Sequence, residues 1–128
     1  MVNELRIALT VENFEEALAF YRDVLGLEPL EMWRAPGANG ALLAAGRATL
    51  ELFDDGQARM IDQLEVGRRV AGALRIALEV EDSTAAADAL ERAGAQRLGG
   101  PVVTPWGDRN VRLQAPDGMQ LTLFTPGE

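Results

Sequence analysis

The sequence contains no cysteine and no histidine. Without cysteine there is no disulfide and no thiolate chemistry, so packing alone must hold the fold. Without histidine, the commonest metal ligand and the commonest general base are both missing. A nucleophilic triad is excluded, because Ser83, the single serine, has neither histidine nor cysteine to activate it. Long apolar runs are also missing: no segment reaches the roughly 18 residues of a membrane span. Met1-Val2-Asn3-Glu4 does not open a basic region followed by an apolar block, so no secretory signal is read and a cytoplasmic location is the expectation. Basic residues are outnumbered, 12 to 20, for a net charge of -8. Such a surface repels a phosphate backbone, so nucleic acid is not an expected partner. Gly99-Gly100-Pro101 reads as a strand bend and not as a phosphate loop. Aromatic residues are few: two Trp, one Tyr and four Phe.

What is present suffices for a core. The chain has 128 residues and is 48% hydrophobic, which suits one folded domain. Its organisation shows as an internal repeat. Arg6-Ile7-Ala8-Leu9-Thr10-Val11-Glu12-Asn13 returns as Arg75-Ile76-Ala77-Leu78-Glu79-Val80-Glu81-Asp82, identical at six of eight positions and offset by 69 residues. Self-similarity at half the chain length indicates duplication. Each copy begins with the two-residue alternation of a half-buried strand. Asn13 then stands three residues before Glu16, a capping-box spacing, and Asp82 takes the equivalent place in the second copy. The helix after Asn13 places Phe14, Ala17, Leu18, Tyr21, Val24 and Leu25 on one face, and Gly26 stops it. Its counterpart runs through Ala85, Ala89, Leu90 and Ala93 to Gly94.

Three strand patterns follow each helix, at 27–34, 41–45 and 49–53, then at 95–103, 110–115 and 120–125. The predicted fold is α+β: two tandem βαβββ modules, 1–54 and 73–128, forming a curved eight-stranded mixed-sheet cup. Residues 55–72 join the modules, polar and with one helical turn near 58–64. Alternation assigns the faces. Ile7, Leu9, Leu50, Leu52, Ile76, Leu78, Leu121 and Leu123 are expected under the helices. Arg6, Ala8, Thr49, Glu51, Phe53, Arg75, Ala77, Gln120, Thr122 and Phe124 are expected to face the cup.

The run Ala17-Leu18-Ala19-Phe20-Tyr21-Arg22-Asp23-Val24-Leu25-Gly26-Leu27, with Leu50-Glu51-Leu52-Phe53, Trp106-Gly107-Asp108-Arg109 and Pro116-Asp117-Gly118, resembles the vicinal oxygen chelate superfamily. That group includes glyoxalase I, extradiol dioxygenases and bleomycin-resistance proteins. In its metal-dependent members, cup-facing residues of the first, fourth, fifth and eighth strands hold the ion. The resemblance places Arg6, Glu51, Arg75 and Thr122 at those positions. Arginine stays protonated and offers no lone pair, so only Glu51 is a competent ligand. No metal and no other cofactor is expected. Closest in character are the metal-free, bleomycin-resistance-like members.

Arg6, Glu51 and Arg75 come close together if the cup is built as in the family. Two readings are open for them. They form an ion network in which the arginines share Glu51, or they clamp a ligand anion with their spare donors. Trp33, Phe53, Trp106 and Phe124 occupy positions that rim the cup, as for a planar ligand. Met32, Met60 and Met119 offer adaptable lining or core filling. The flanking arginines are expected to lower the Glu51 pKa and make it a poor base. The first functional reading is a small-molecule-binding protein that sequesters a planar or anionic natural product or antibiotic. The alternative is a metal-free enzyme, an isomerase or lyase-like step with Glu51 as base. Homodimerisation is expected from the resemblance.

Overall fold

The computed structural model describes residues 2–127. Eight strands form one open sheet: β1 (Val2–Thr10), β2 (Pro29–Ala35), β3 (Ala38–Ala45), β4 (Ala48–Phe53), β5 (Leu74–Val80), β6 (Gln96–Val103), β7 (Arg109–Gln114) and β8 (Gln120–Thr125). Their order is β2-β3-β4-β1-β5-β8-β7-β6, so the repeat is visible as two four-stranded halves mirrored about the centre. β1 pairs parallel with β4, and β5 pairs parallel with β8. The halves meet where β1 and β5 run antiparallel, with Ile7 opposite Ile76.

The first helix departs from its expected form. It starts as an α-helix, α1 (Phe14–Leu18), with the Asn13 side chain accepting from the Glu16 backbone N–H at 3.1 Å. It then widens into a π-helix over Ala19–Val24, and Gly26 ends it with φ of 77°. Wider turns advance each residue by a smaller angle, so the apolar face drifts. Phe14 and Leu18 stay buried, while Val24 and Leu25 turn outward, against the sequence expectation. α3 (Ser83–Arg92) is regular and is capped by Asp82.

Two apolar clusters sit under these helices. Phe14, Leu18, Ala41, Leu43 and Leu52 form one, joined by Leu9 and Leu50; Val80, Ala87, Val111, Leu113 and Leu123 form the other, joined by Leu78. Neither includes Ile7, which is 37% exposed at the seam between the halves and so is not buried under a helix as alternation suggested.

The largest revision concerns the connection between the halves. α2 (Asp55–Glu65) spans 11 residues, not one turn, with Asp54 as its cap accepting from the Gln57 N–H at 2.8 Å. It lies on the concave side, where Ala58 and Ile61 pack on Ala8 and Phe53. The cup is therefore partly filled by the protein's own helix.

Candidate functional site

Alternation on β1 and β4 turns Arg6, Glu51 and Phe53 to the concave side, and β2 adds Glu31 and Trp33 by the same rule. α2 contributes Gln57 and Ile61, and the loop before β7 contributes Trp106 and Asp108. Together these side chains, with Leu42 and Pro126, enclose a cleft of about 180 Å³. A smaller recess of about 40 Å³ adjoins it and is lined by Arg75, Thr122 and Phe124 along with Arg6, Glu51 and Phe53. All eight residues expected at the site thus border one of two neighbouring hollows, both of which share Trp106. Met32, Met60 and Met119 border neither.

The arginines do not share Glu51 by hydrogen bonds. Arg6 donates from Nε to Glu4 Oε2 at 2.8 Å, and its guanidinium carbon lies 4.5 Å from the centre of the Phe124 ring. Thr49 Oγ1 donates to the same Glu4 oxygen at 2.7 Å, so Glu4, and not Glu51, is the counter-ion of Arg6. Arg75 donates from Nη1 to Thr122 Oγ1 at 2.7 Å and sits over the Phe53 ring. Glu51 is only 8% exposed and has no hydrogen-bond or ion-pair partner among the described residues.

This isolation reverses the expected electrostatics. Burial pushes the Glu51 carboxyl above its ordinary range, and nearby Glu65 and Glu4 add to the rise; the fields of Arg75 and Arg6 oppose it and lose. Hydrogen bonds would have kept the charged form comfortable, and none is made. Arg75 is itself lowered, by burial and then by the Arg112 charge. Asp108 is raised by burial, against the pull of Arg6 and of the Trp106 and Gly127 N–H groups.

The second half of the concave face is closed by a separate network that sequence reasoning missed. Arg112 is fully buried and donates from Nη1 to Asp62 Oδ1 at 2.7 Å and from Nε to Glu65 Oε1 at 3.1 Å. Asn110 Nδ2 donates to Glu65 Oε2 at 2.9 Å. The Arg112 Nη2 atom lies 3.0 Å from Glu65 Oε1 but outside hydrogen-bond alignment, which leaves it an ion contact only. Asp62 also accepts from the Val70 and Ala71 N–H groups, each at 2.8 Å. Ions this deep persist only when paired, and the effect is to dock α2. A signal for α2 did exist. Asp54 followed three residues later by Gln57 is a capping-box pattern.

A divalent ion does not fit the family's metal positions here. Arg6 and Arg75 present donors, Thr122 Oγ1 is engaged by Arg75, and Glu51 stands alone as an acidic ligand. Among the described residues no three Asp, Glu, His or Cys side chains gather in a way that could hold a metal. No described helix is long and apolar enough to cross a membrane.

Comparison with known proteins places this geometry. In structure, the chain is similar to Streptomyces coelicolor methylmalonyl-CoA epimerase in complex with 2-nitronate-propionyl-CoA, with a TM-score of 0.73, 21% identity and 100% of both chains covered. Methylmalonyl-CoA epimerase from Mycobacterium tuberculosis gives 0.71 at 19% identity, covering 99% of this chain and 90% of that one. A Legionella pneumophila structure described as an NAD-dependent benzaldehyde dehydrogenase gives 0.70 at 15% identity, covering 95% and 98%. At such identities the likeness concerns the fold. No curated protein matches the chain by sequence. The profile of the Glyoxalase/Bleomycin resistance protein/Dioxygenase superfamily matches residues 5–123, nearly the whole chain, and the protein belongs to that superfamily.

Proposed function

We propose that the cleft binds a small carbon acid and that Glu51 moves a proton on it, making the protein a metal-independent enzyme of the isomerase type. One observation carries this reading: Glu51 is buried, unbonded and raised in pKa, yet borders the cleft. A carboxyl group tuned upward is matched to proton abstraction near neutral pH. A purely structural glutamate at this depth would be paired. Arg6 and Arg75 lie near enough to act on Glu51 by charge, and an oxyanion forming beside it would gain from the same field. The size supports a compact substrate, since drug-sized ligands take pockets of about 300–1,000 Å³. Several structural neighbours are epimerases by name, which agrees with proton transfer.

The test is solvent exchange. The protein is incubated with a bacterial metabolite extract in heavy water, and mass spectrometry looks for a compound that gains one deuterium. Glu51→Gln should abolish that gain. Absence of any labelled compound with the unaltered protein would refute the proton-transfer reading.

A second reading keeps the cleft as a binding site without turnover, sequestering a planar or anionic natural product as resistance relatives do. Its support is the aromatic lining of Trp33, Phe53 and Trp106. It predicts a ligand recovered unchanged and held equally well by Glu51→Gln.

A further inference from the structure

Charge in the cleft is unbalanced. Glu31, Glu51 and Asp108 border it, against one guanidinium, that of Arg6. That guanidinium is already engaged: Glu4 holds it at 2.8 Å, and the Phe124 face lies under it. Arg75, in the adjoining recess, offsets Glu51 through its field. Glu31 and Asp108 remain, and neither forms an ion pair among the described residues. The -8 charge of the whole chain deepens this local excess.

Both tryptophans of the chain border the same cleft. Trp33 lies two residues from Glu31 on one face of β2, and Trp106 lies two residues before Asp108. Carboxylates and indole rings bordering one cleft make the chemistry that recognises an ammonium group, because ring quadrupoles and anionic oxygens both attract a cation. An anionic ligand, which the arginines alone would suggest, would meet two carboxylates that form no ion pair among the described residues. Glu51 supplies the independent sign that a ligand belongs here, being 8% exposed, without a partner and on the cleft wall.

We propose that the cleft seats a cationic amine: the ligand carries an alkylammonium group held by Glu31, Asp108, Trp33 and Trp106, with its uncharged end toward Glu51. This rests on the reading of the Glu51 cleft as the ligand site, and it names the class of ligand. Burial that raises the Asp108 carboxyl would be relieved by a bound cation, which agrees with the assignment.

The experiment compares choline with its neutral carbon isostere, 3,3-dimethyl-1-butanol, by titrating tryptophan emission at low salt. Choline should bind about tenfold more tightly than the isostere, the scale of a desolvated cation–π and charge contact. Added salt should weaken choline and leave the isostere unchanged. Glu31→Gln and Asp108→Asn should each remove most of the preference; Glu31 is exposed on the edge strand β2, so its variant leaves the core untouched. Equal binding of the isostere, or no response to choline, would overturn the assignment. Glu51→Gln should keep the choline preference. Absence of proton exchange in the unaltered protein, with its choline preference intact, would therefore overturn the proton-transfer reading alone.

Discussion

Arg112 on β7 donates to Asp62 on α2 across 2.7 Å, and neither side chain is more than 1% exposed. The pair ties the sheet of the second half to the helix that walls the cleft of the first. Removing one member takes a buried ion-pair partner from the other. Arg112→Met, which takes from Glu65 its ion-pair partner and leaves Asp62 only Arg69, should lower unfolding stability by about 3–5 kcal/mol. Urea unfolding followed by circular dichroism reads this directly, and an unchanged midpoint would contradict the burial of the pair.

Asp62 also sets part of the acid sensitivity. Burial alone would raise its carboxyl, but the Ala71 and Val70 N–H groups and the Arg112 and Arg69 guanidiniums outweigh burial and hold it low. A folded pKa below the unfolded one gives stability that is present above the unfolded value and lost as pH falls through the folded value. Thermal melts of Asp62→Asn should therefore lie well below the wild type at neutral pH, with the two curves converging in acid.

Glu51 works in the opposite sense. Its folded pKa lies above the unfolded one, so the wild type bears no penalty at acid pH and acquires one as pH rises through the folded value. Glu51→Gln resembles the protonated form at every pH. Its melting temperature should match the wild type below about pH 4, the ordinary carboxylate range, and exceed it at neutral pH. A difference that stayed constant with pH would show that the carboxyl is not raised.

Gly40 on β3 faces the cleft wall. A Cβ there would stand 3.1 Å from both Trp33 Cε3 and Phe53 Cδ1, and 3.3 Å from Gln57 Cγ. Phe53 is buried and cannot yield, whereas Trp33 is only partly buried and can. Gly40→Ala should cost only about 1–3 kcal/mol, as overpacking does, while displacing the Trp33 ring. Ligand titration would then show weakened binding in a protein whose far-ultraviolet spectrum is unchanged.

Much of the fold was legible because the repeat and the alternation report it twice. Arg6–Asn13 and Arg75–Asp82 mark both first strands, and Leu9, Leu52, Leu78 and Leu123 fall under the helices as their parity requires. The exceptions have local causes. Val24 and Leu25 turn outward because the π-helix changes the angular step, which no apolar spacing announces. α2 is hard to read because its buried face includes Gln57, Asp62 and Glu65, which read as surface residues; Arg112 and Asn110 meet the last two. In the site, residue placement followed from alternation, but partners did not. Glu4 lies only two residues from Arg6, and its reach back to that guanidinium depends on side-chain conformation. The raised state of Glu51 depends on the same fact, since the counter-ion expected for it is taken elsewhere.

Duplication of a half-cup would ordinarily yield twin hollows, each able to receive a guest. Here Asp62 and Glu65 occupy the second as if they were that guest, seated on Arg112 and Asn110. Saturation should consequently come at one molecule per polypeptide, and the evolutionary symmetry of the scaffold is broken in its stoichiometry.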